Sequence, residues 1–121
     1  MTTAIDEFIA DARDVSIEQA AKILGLKFKQ RGHEHPQPCP QCGGRDRFSF
    51  NTEKELWNCR HGGVGGHDSI GMVAHCRCYD VRRRQDFMEV CSILTGREIP
   101  DGAERESDED RAARQARLEA K

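Results

Sequence analysis

Residues 39–44 read CPQCGG, and the next cysteine, Cys59, is followed two positions later by His61. Two thiols separated by two residues can approach one metal ion from a tight turn, and the proline and two glycines supply that turn. A second ligand pair would then close a tetrahedral site of the kind that zinc prefers. The sequence therefore predicts one structural Zn²⁺ ion, bound by Cys39, Cys42, Cys59 and His61.

The residues between the two ligand pairs are typical of a β-hairpin. Residues 47–51 (RFSFN) and 56–58 (LWN) alternate in character like short strands, and the polar residues 52–55 provide the turn. A ligand-bearing turn, a hairpin and a second ligand pair together make a zinc ribbon. The predicted fold class is α+β, with a small zinc-ribbon antiparallel sheet flanked by short helices.

The fourth ligand is the open point of this site. A ribbon usually repeats the C-x-x-C pattern, but Gly62 stands where the fourth cysteine would be. His61 is the nearest replacement, and three cysteines with one histidine are an ordinary structural zinc set. The reserve candidate is His67, which lies beyond the glycine-rich residues 62–66. A site without a fourth protein ligand is the remaining alternative.

Several short motifs follow one another in order along the chain: Cys39-Pro40-Gln41-Cys42-Gly43-Gly44, Asp46-Arg47-Phe48-Ser49-Phe50, Trp57-Asn58-Cys59, Gly65-Gly66, Asp68, Ile70, Asp86-Phe87 and Leu94-Thr95-Gly96. In this order they resemble the CHC-type zinc-binding domain at the N-terminus of bacterial and bacteriophage DNA primases. The resemblance covers about residues 31–97. The chain departs from the family's pattern where His61-Gly62 replaces the last cysteine and where His67 interrupts the Gly-Gly-Asp run.

The resemblance implies a function. In primases this domain contacts the single-stranded template, helps to choose the initiation site and cooperates with a separate catalytic domain. The chain is therefore expected to be a zinc-binding, single-stranded DNA template-recognition module that acts in primer synthesis during phage or bacterial DNA replication. The implied partners are single-stranded DNA and, within a primosome, the primase catalytic domain or a replicative helicase. No membrane partner is expected.

No catalytic constellation is visible in the sequence. A structural zinc ion with four protein ligands has no open position for hydrolytic chemistry. The chain has no glycine loop ending in Lys-Ser/Thr and no H-E-x-x-H. It also lacks the larger α/β domain on which the clustered carboxylates of a primase's polymerising centre lie. We therefore expect that the chain is not an enzyme by itself, and that DNA-directed RNA polymerase activity resides on a separate domain.

Cations near the metal ligands are the predicted DNA contacts. Aromatic faces can stack on bases while cations follow the phosphates, so a single strand is bound with little sequence demand. The predicted DNA-binding residues are four cations and one aromatic residue: Arg45, Arg47, Lys54, Trp57 and Arg60. The alternative is that the aromatic residues simply form the apolar side of the sheet. For Phe48 and Phe50, which share a face, core packing is the favoured interpretation.

Charge is unevenly distributed along the chain, whose net charge is −2. Residues 31–97 carry ten basic and eight acidic residues, whereas residues 98–121 carry five basic and eight acidic residues. The zinc segment is thus mildly basic within an acidic chain, which is compatible with nucleic-acid binding. The alternative function is a stand-alone mobile-element zinc-ribbon protein that binds a replication protein rather than DNA.

The sequence also predicts how the chain is organised. Residues 1–97 form one primase-type zinc-binding domain, made of a helical N-terminal cover (1–26), the zinc ribbon (27–67) and further helices (68–97). Residues 98–121 are a charged linker or tail. Only 36% of the chain is hydrophobic, so a metal ion is needed to stabilise a thin core. No signal peptide or transmembrane stretch is visible, which favours a cytoplasmic location.

Local signals predict individual elements. The apolar spacing predicts a helix over residues 4–12, and a capping box at Ser16 starts another that ends at Gly25. Alternation predicts a strand over residues 26–31. A second capping box, with Asp86 at the N-cap, starts a later helix.

Several cysteines and histidines remain outside the predicted zinc set. The pair Cys76 and Cys78, with the adjoining His75, can be considered as a second metal site. Core and turn positions are favoured for these two thiols, because the spacing places Cys76 on the apolar side of a helix. Cys91 is predicted to be a core thiol. The histidines of the His33-Glu34-His35 run are predicted to lie solvated at a strand edge.

Overall fold

Five helices and a four-stranded antiparallel sheet make up the part of the chain described by the structure, a computed structural model that covers residues 3–29, 32–61 and 63–119. In chain order the elements are α1 (Ala4–Arg13), α2 (Ile17–Leu24), β1 (Gln37–Cys39), β2 (Gly43–Asn51), β3 (Leu56–Cys59), β4 (Val64–Gly66), α3 (Ser69–Arg77), α4 (Arg84–Thr95) and α5 (Asp108–Glu119). The strands lie in the order β1-β2-β3-β4. The predicted α+β class is confirmed. None of the helices in these ranges has both the length and the apolar character needed to cross a membrane.

The sheet has one closed face and one open face. In the β2–β3 pair, Phe48 lies opposite Cys59 and Phe50 lies opposite Trp57, and all four side chains are buried. Because successive side chains of a strand point to opposite faces, the residues between them point the other way. Thus Asn58 on the opposite face is exposed. The core position favoured for Phe48 and Phe50 is confirmed, since both are fully buried.

The helix ends follow their local signals. The hydroxyl of Ser16 accepts a hydrogen bond from the amide of Gln19 at 3.0 Å, so α2 begins where the sequence predicts. Gly25 ends it with φ of 73°, a left-handed conformation that glycine adopts without steric cost. Asp68 caps α3 by accepting a hydrogen bond from the amide of Gly71.

The predicted strand over residues 26–31 is wrong for residues 26–29, and residues 30 and 31 lie outside the described ranges. The backbone of Lys27 pairs with the side chain of Gln37 instead. Its amide donates to Gln37 Oε1 and its carbonyl accepts from Gln37 Nε2, both at 2.9 Å. A side-chain amide offers the same donor and acceptor as a neighbouring strand, so these backbone groups are satisfied without a ladder.

His35 also departs from its predicted solvated position, because its side chain is buried while His33 is exposed. Its ring lies against Phe28 and Phe50, with centroid separations of 5.2 and 4.8 Å. Its Nδ1 accepts a hydrogen bond from the amide of Lys29 at 2.8 Å. The ring therefore packs against the two phenylalanine rings and also provides the hydrogen-bond acceptor for a backbone amide.

The predicted cap of α4 is wrong. The helix begins at Arg84, and Arg83 stands at its N-cap without a side-chain hydrogen bond. Asp86 lies inside the first turn, is buried, and accepts a hydrogen bond from the amide of Asp80 at 2.9 Å. The carboxylate thus connects the preceding loop to the helix. A local capping pattern does not reveal this contact.

The segment for which the sequence suggests a charged linker or tail packs against the domain as far as it is described. Its Arg114 is nearly buried and lies over the ring of Tyr79, 4.1 Å from the centroid. Arg114 donates to the buried Glu106 at 2.9 Å and to the carbonyl of Arg77 at 2.9 Å. These contacts attach α5 to the end of α3. Residues 120 and 121 of the predicted tail lie outside the described ranges.

Candidate functional site

Three thiols and one imidazole converge beside the sheet. The ligand atoms of Cys39, Cys42, Cys59 and His75 all lie within 4.8 Å of one another. The Nε2 atom of His75 is 3.3 Å from the sulfur of Cys39 and 3.8 Å from that of Cys42. The sulfurs of Cys42 and Cys59 are 3.8 Å apart. This cluster can hold a metal ion.

The backbone brings the three thiols together. Cys39 ends β1, Cys42 lies in the turn before β2, and Cys59 ends β3. β1 and β3 flank β2 and both run antiparallel to it, so they run in the same direction and finish at the same end of the sheet. The turn after Cys42 needs glycine, since Gly43 and Gly44 have φ of 78° and 89°.

His75 reaches the thiols from α3, and its ring is oriented by the core. It lies parallel to the ring of Phe48, with an interplanar angle of 4° and a centroid separation of 6.5 Å. It also stacks against Trp57 at 5.6 Å. Burial lowers the pKa of His75, which favours the neutral imidazole that binds metal ions.

Burial has the opposite effect on the thiols of the cluster. It raises the pKa of Cys42 to about 12, and the neighbouring Cys59 and Cys39 add to this rise. Burial raises the pKa of Cys39 as well. A bound divalent cation would reverse this trend, because it stabilises thiolates directly. Metal binding at this cluster would therefore release protons.

The structure does not bring His61 or His67 into the cluster. His61 is exposed, and its Nδ1 accepts a hydrogen bond from Nη1 of Arg47 at 2.9 Å. His67 is also exposed and lies between β4 and α3. The fourth donor in the cluster is His75, which lies on the helix side of the sheet where the three thiols also meet. The group that the structure brings together therefore differs from the predicted ligand set at its fourth member, with His75 in place of His61.

The sequence contained only a weak signal for His75. This histidine directly precedes Cys76-Arg77-Cys78, a group that the sequence offers as a second metal site. No such second cluster forms among residues 3–29, 32–61 and 63–119. Cys76 is a core thiol, and Cys78 caps α3 in a left-handed conformation with φ of 62°. Cys91 is buried as predicted, and burial raises its pKa to about 11.

Two of the predicted DNA-binding arginines lie side by side on the open face. The amide of Arg60 donates to the carbonyl of Arg47 at 2.8 Å, and both side chains are exposed. Arg45 is exposed further along β2, whereas Lys54 lies in the turn at the other end of the hairpin. A shallow cavity of about 300 Å³ lies beside the pair and is lined by Glu34, Pro36, Asp46, Arg47, Ser49, Asn58 and Arg60.

Carboxylates share this open face with the arginines. Asp46 forms an ion pair with Arg60 at 2.9 Å. Glu34 accepts hydrogen bonds from the hydroxyl of Ser49 at 2.6 Å and from the side-chain Nδ2 of Asn51 at 2.9 Å. The positive charge of the face is therefore partly compensated within the chain.

Trp57 does not belong to this exposed set, although the sequence places it among the DNA contacts. Its side chain is 5% exposed, and its ring lies against Phe48 and His75. Its Nε1 atom is buried and has no hydrogen-bond partner in the described part of the chain. A ring this deeply buried offers little surface on which a base could stack, and Trp57 packs beside the imidazole of the cluster instead.

No protein-family model, curated protein or solved structure matches this chain.

Proposed function

We propose that this chain is a zinc-binding, single-stranded DNA template-recognition module of a DNA primase and is not an enzyme by itself. The proposal joins three observations. They are the motif order that resembles the primase zinc-binding domain, the cluster of three thiols and one imidazole, and the adjacent exposed arginines Arg47 and Arg60.

The geometry of the cluster supports zinc as the ion. In a tetrahedron with metal–sulfur bonds of about 2.3 Å, neighbouring sulfur atoms lie about 3.8 Å apart. The Cys42 and Cys59 sulfurs are separated by 3.8 Å. A tetrahedral zinc ion with one nitrogen ligand requires sulfur–nitrogen distances of about 3.5 Å. The two distances to His75 Nε2, 3.3 and 3.8 Å, bracket this value. This match is the observation that carries the zinc assignment.

Such an ion would be structural. Three thiolates and one imidazole fill the four positions of tetrahedral zinc, which leaves none for water or substrate. The ion would connect the β1–β2 turn, the end of β3 and α3, three segments that are distant in the sequence. In this proposal the ion holds the sheet against the helices, and the arginine-bearing face of the sheet points outward.

The open face supports binding of a single strand. Arg47 and Arg60 offer two adjacent guanidinium groups, which bind phosphate oxygens with directional, charge-assisted hydrogen bonds. Arg60 is paired with Asp46, but exposed pairs of this kind contribute only about 0–1 kcal/mol. A phosphate can therefore replace Asp46 at little cost. Because Glu34 and Asp46 remain nearby, we expect modest affinity that decreases steeply with salt.

Fluorescence anisotropy with a labelled single-stranded oligonucleotide at several salt concentrations tests this proposal. Replacing both arginines, as Arg47→Glu with Arg60→Glu, should weaken binding and lower the salt slope by about 0.7 per lost contact. Zinc content and melting temperature should stay near those of the unmodified protein. A matched control is Lys22→Glu, because Lys22 is an exposed cation on α2 that does not line the cavity beside Arg47 and Arg60.

The outcome separates the two functions considered from the sequence. Salt-dependent binding that is lost in the double variant and kept in the control supports template recognition. Undetectable binding by the zinc-loaded protein at low salt would contradict it. The alternative, a zinc-ribbon protein that binds a replication protein rather than DNA, would then be favoured.

A further inference from the structure

A groove runs over the helical side of the molecule, on either side of Val81. It consists of two adjoining cavities of about 400 and 350 Å³, which share Arg13, Val81 and Phe87 in their linings. The larger also touches the start of α3 at Asp68, Ser69, Ile70 and Gly71, and the smaller touches Ile9, Arg82 and Arg84. We call this surface the Val81 groove. Neither Arg47 nor Arg60 of the proposed DNA face lines it.

Three aliphatic side chains contribute to the lining of the Val81 groove. Ile9 comes from α1 and Ile70 from α3, and Val81 lines both cavities. Val81 is 41% exposed, one of three large hydrophobic residues exposed in the described part of the chain. Its exposed side chain adds apolar surface to a groove that charged residues rim, a combination found at partner-binding sites.

The rim of the groove is positively charged. Among the described residues, neither Arg13 nor Arg84 forms an ion pair with a carboxylate. The guanidinium group of Arg84 lies over the ring of Phe87, 5.7 Å from its centroid. Asp68, the carboxylate in the lining, is engaged in capping α3. The rim therefore offers two uncompensated cations next to apolar depressions.

The chain itself provides an example of the complementary ligand. Next to the groove, Arg83 pairs with Asp110 at 3.3 Å, and Gln85 donates to the same carboxylate at 2.7 Å. Asp110 belongs to the acidic stretch of residues 104–110. Residues 82–84 are three consecutive arginines. An acidic segment thus already binds Arg83 of this run, whereas Arg84 has no such partner in the described ranges.

We propose that the Val81 groove binds an acidic peptide segment of another protein. Two apolar side chains of the segment would fill the two cavities, and its carboxylates would pair with Arg13 and Arg84. Arginine–carboxylate pairs beside buried apolar anchors are the contacts that usually dominate peptide recognition.

The groove suits a peptide better than a nucleic acid. A nucleic acid would leave the two apolar depressions unfilled, because bases stack on flat aromatic faces and do not insert into aliphatic pockets. The one aromatic ring in the linings of the two cavities belongs to Phe87, and Arg84 already lies over it. Aliphatic depressions instead match leucine-like or phenylalanine-like side chains.

Selection from a displayed library of random peptides against the zinc-loaded full chain tests the proposal. The enriched sequences should combine aspartate or glutamate with apolar residues. Titration of the best peptide into isotope-labelled protein should shift the amide resonances around Val81 and Phe87. Both Val81→Asp and Arg84→Glu should weaken binding at least about tenfold. Arg84 is the first residue of α4, where an acidic side chain is favourable, so this variant should fold. Lys22→Glu, which removes a cation outside the groove, should bind the peptide like the unmodified protein.

Three results would overturn the proposal. The first is a selection that yields no acidic, apolar sequences. The second is an enriched peptide that binds the Val81→Asp and Arg84→Glu variants as well as the unmodified protein. The third is a single-stranded oligonucleotide that shifts the same amides and displaces the peptide, since the groove would then be a nucleic-acid site. None of these results depends on whether the open face of the sheet binds DNA.

Discussion

The two faces of the β2–β3 hairpin are built from alternating residues of the same strands, yet the side chains on one face are buried and those on the other face meet solvent. On the closed face Phe48, Trp57 and Cys59 are buried against the helices, and Cys59 belongs to the thiol–imidazole cluster. On the open face Arg47 and Asn58 are exposed. The period of two along each strand separates these sets, so a single residue step moves a side chain from the core to solvent.

This separation assigns stability to one face and binding to the other. The closed face contains the large apolar side chains and the four groups that could hold a metal ion, and in a domain this small apolar burial and metal ligation are the main sources of folding free energy. The open face contains groups already in contact with water, whose substitution changes few buried contacts. Substitutions on the two faces should therefore differ in kind as well as in size.

Chelation of the proposed zinc ion should have the largest effect, and it acts on the closed face. Ligation of structural zinc contributes on the order of 10 kcal/mol, which a thin core cannot replace. We expect chelation to unfold the ribbon over residues 39–70, and Cys59→Ser to act in the same way. Thermal melting followed by circular dichroism, with and without chelator, measures the change. Zinc added back should restore the transition, whereas a melting temperature unchanged by chelation would contradict the structural role.

The next largest effect should distinguish His75 from His61. Loss of a direct ligand should lower zinc affinity by more than the about 100-fold seen when outer groups are removed. His75→Ala should therefore lose affinity strongly, whereas His61→Ala should change it little. Competition with a chromophoric chelator measures both constants. The variant His75→Cys should recover affinity, because four thiolates also bind zinc. If His61→Ala were the damaging change, the ligand set described above would be incorrect.

Substitution of neighbouring residues in β2 compares the faces directly. Phe48→Ala should lower the free energy of unfolding by about 3–5 kcal/mol, because it leaves a cavity beside the rings of Trp57 and His75. Ser49→Ala should change it by no more than about 0.5 kcal/mol, although it loses the hydrogen bond to Glu34. Urea unfolding of the zinc-loaded proteins gives both values. Equal costs at the two positions would mean that the open face is covered in solution.

The smallest effect on stability is expected at Arg47 and Arg60. Their partners are exposed, so Arg47→Ala and Arg60→Ala should each change the free energy of unfolding by about 0–1 kcal/mol. Oligonucleotide binding by the same variants should nevertheless decrease. Urea unfolding and anisotropy on the same samples measure both quantities. A large loss of stability would show that these arginines support the fold, and would weaken their assignment to DNA.

Local sequence patterns by themselves determined several parts of this protein. Ser16 and Gly25 delimit α2 because a cap depends on residues within one turn of the helix end. The CPQCGG turn at residues 39–44 is likewise local, and it places two thiols close to each other. The period of two in RFSFN identified the strand and the buried positions of Phe48 and Phe50. In each case the interacting groups lie only a few positions apart.

Only the tertiary structure decided the rest, because the deciding partners are distant in the chain. His75 lies 36 positions beyond Cys39 and reaches the thiols because α3 packs on the closed face. The same packing covers Trp57, which the hairpin pattern alone left available for a base. Gln37 replaces a strand neighbour for Lys27, and Arg114 attaches a segment that composition describes as a tail. Local patterns specify which groups can bind, but the packing of distant elements specifies which of them meet.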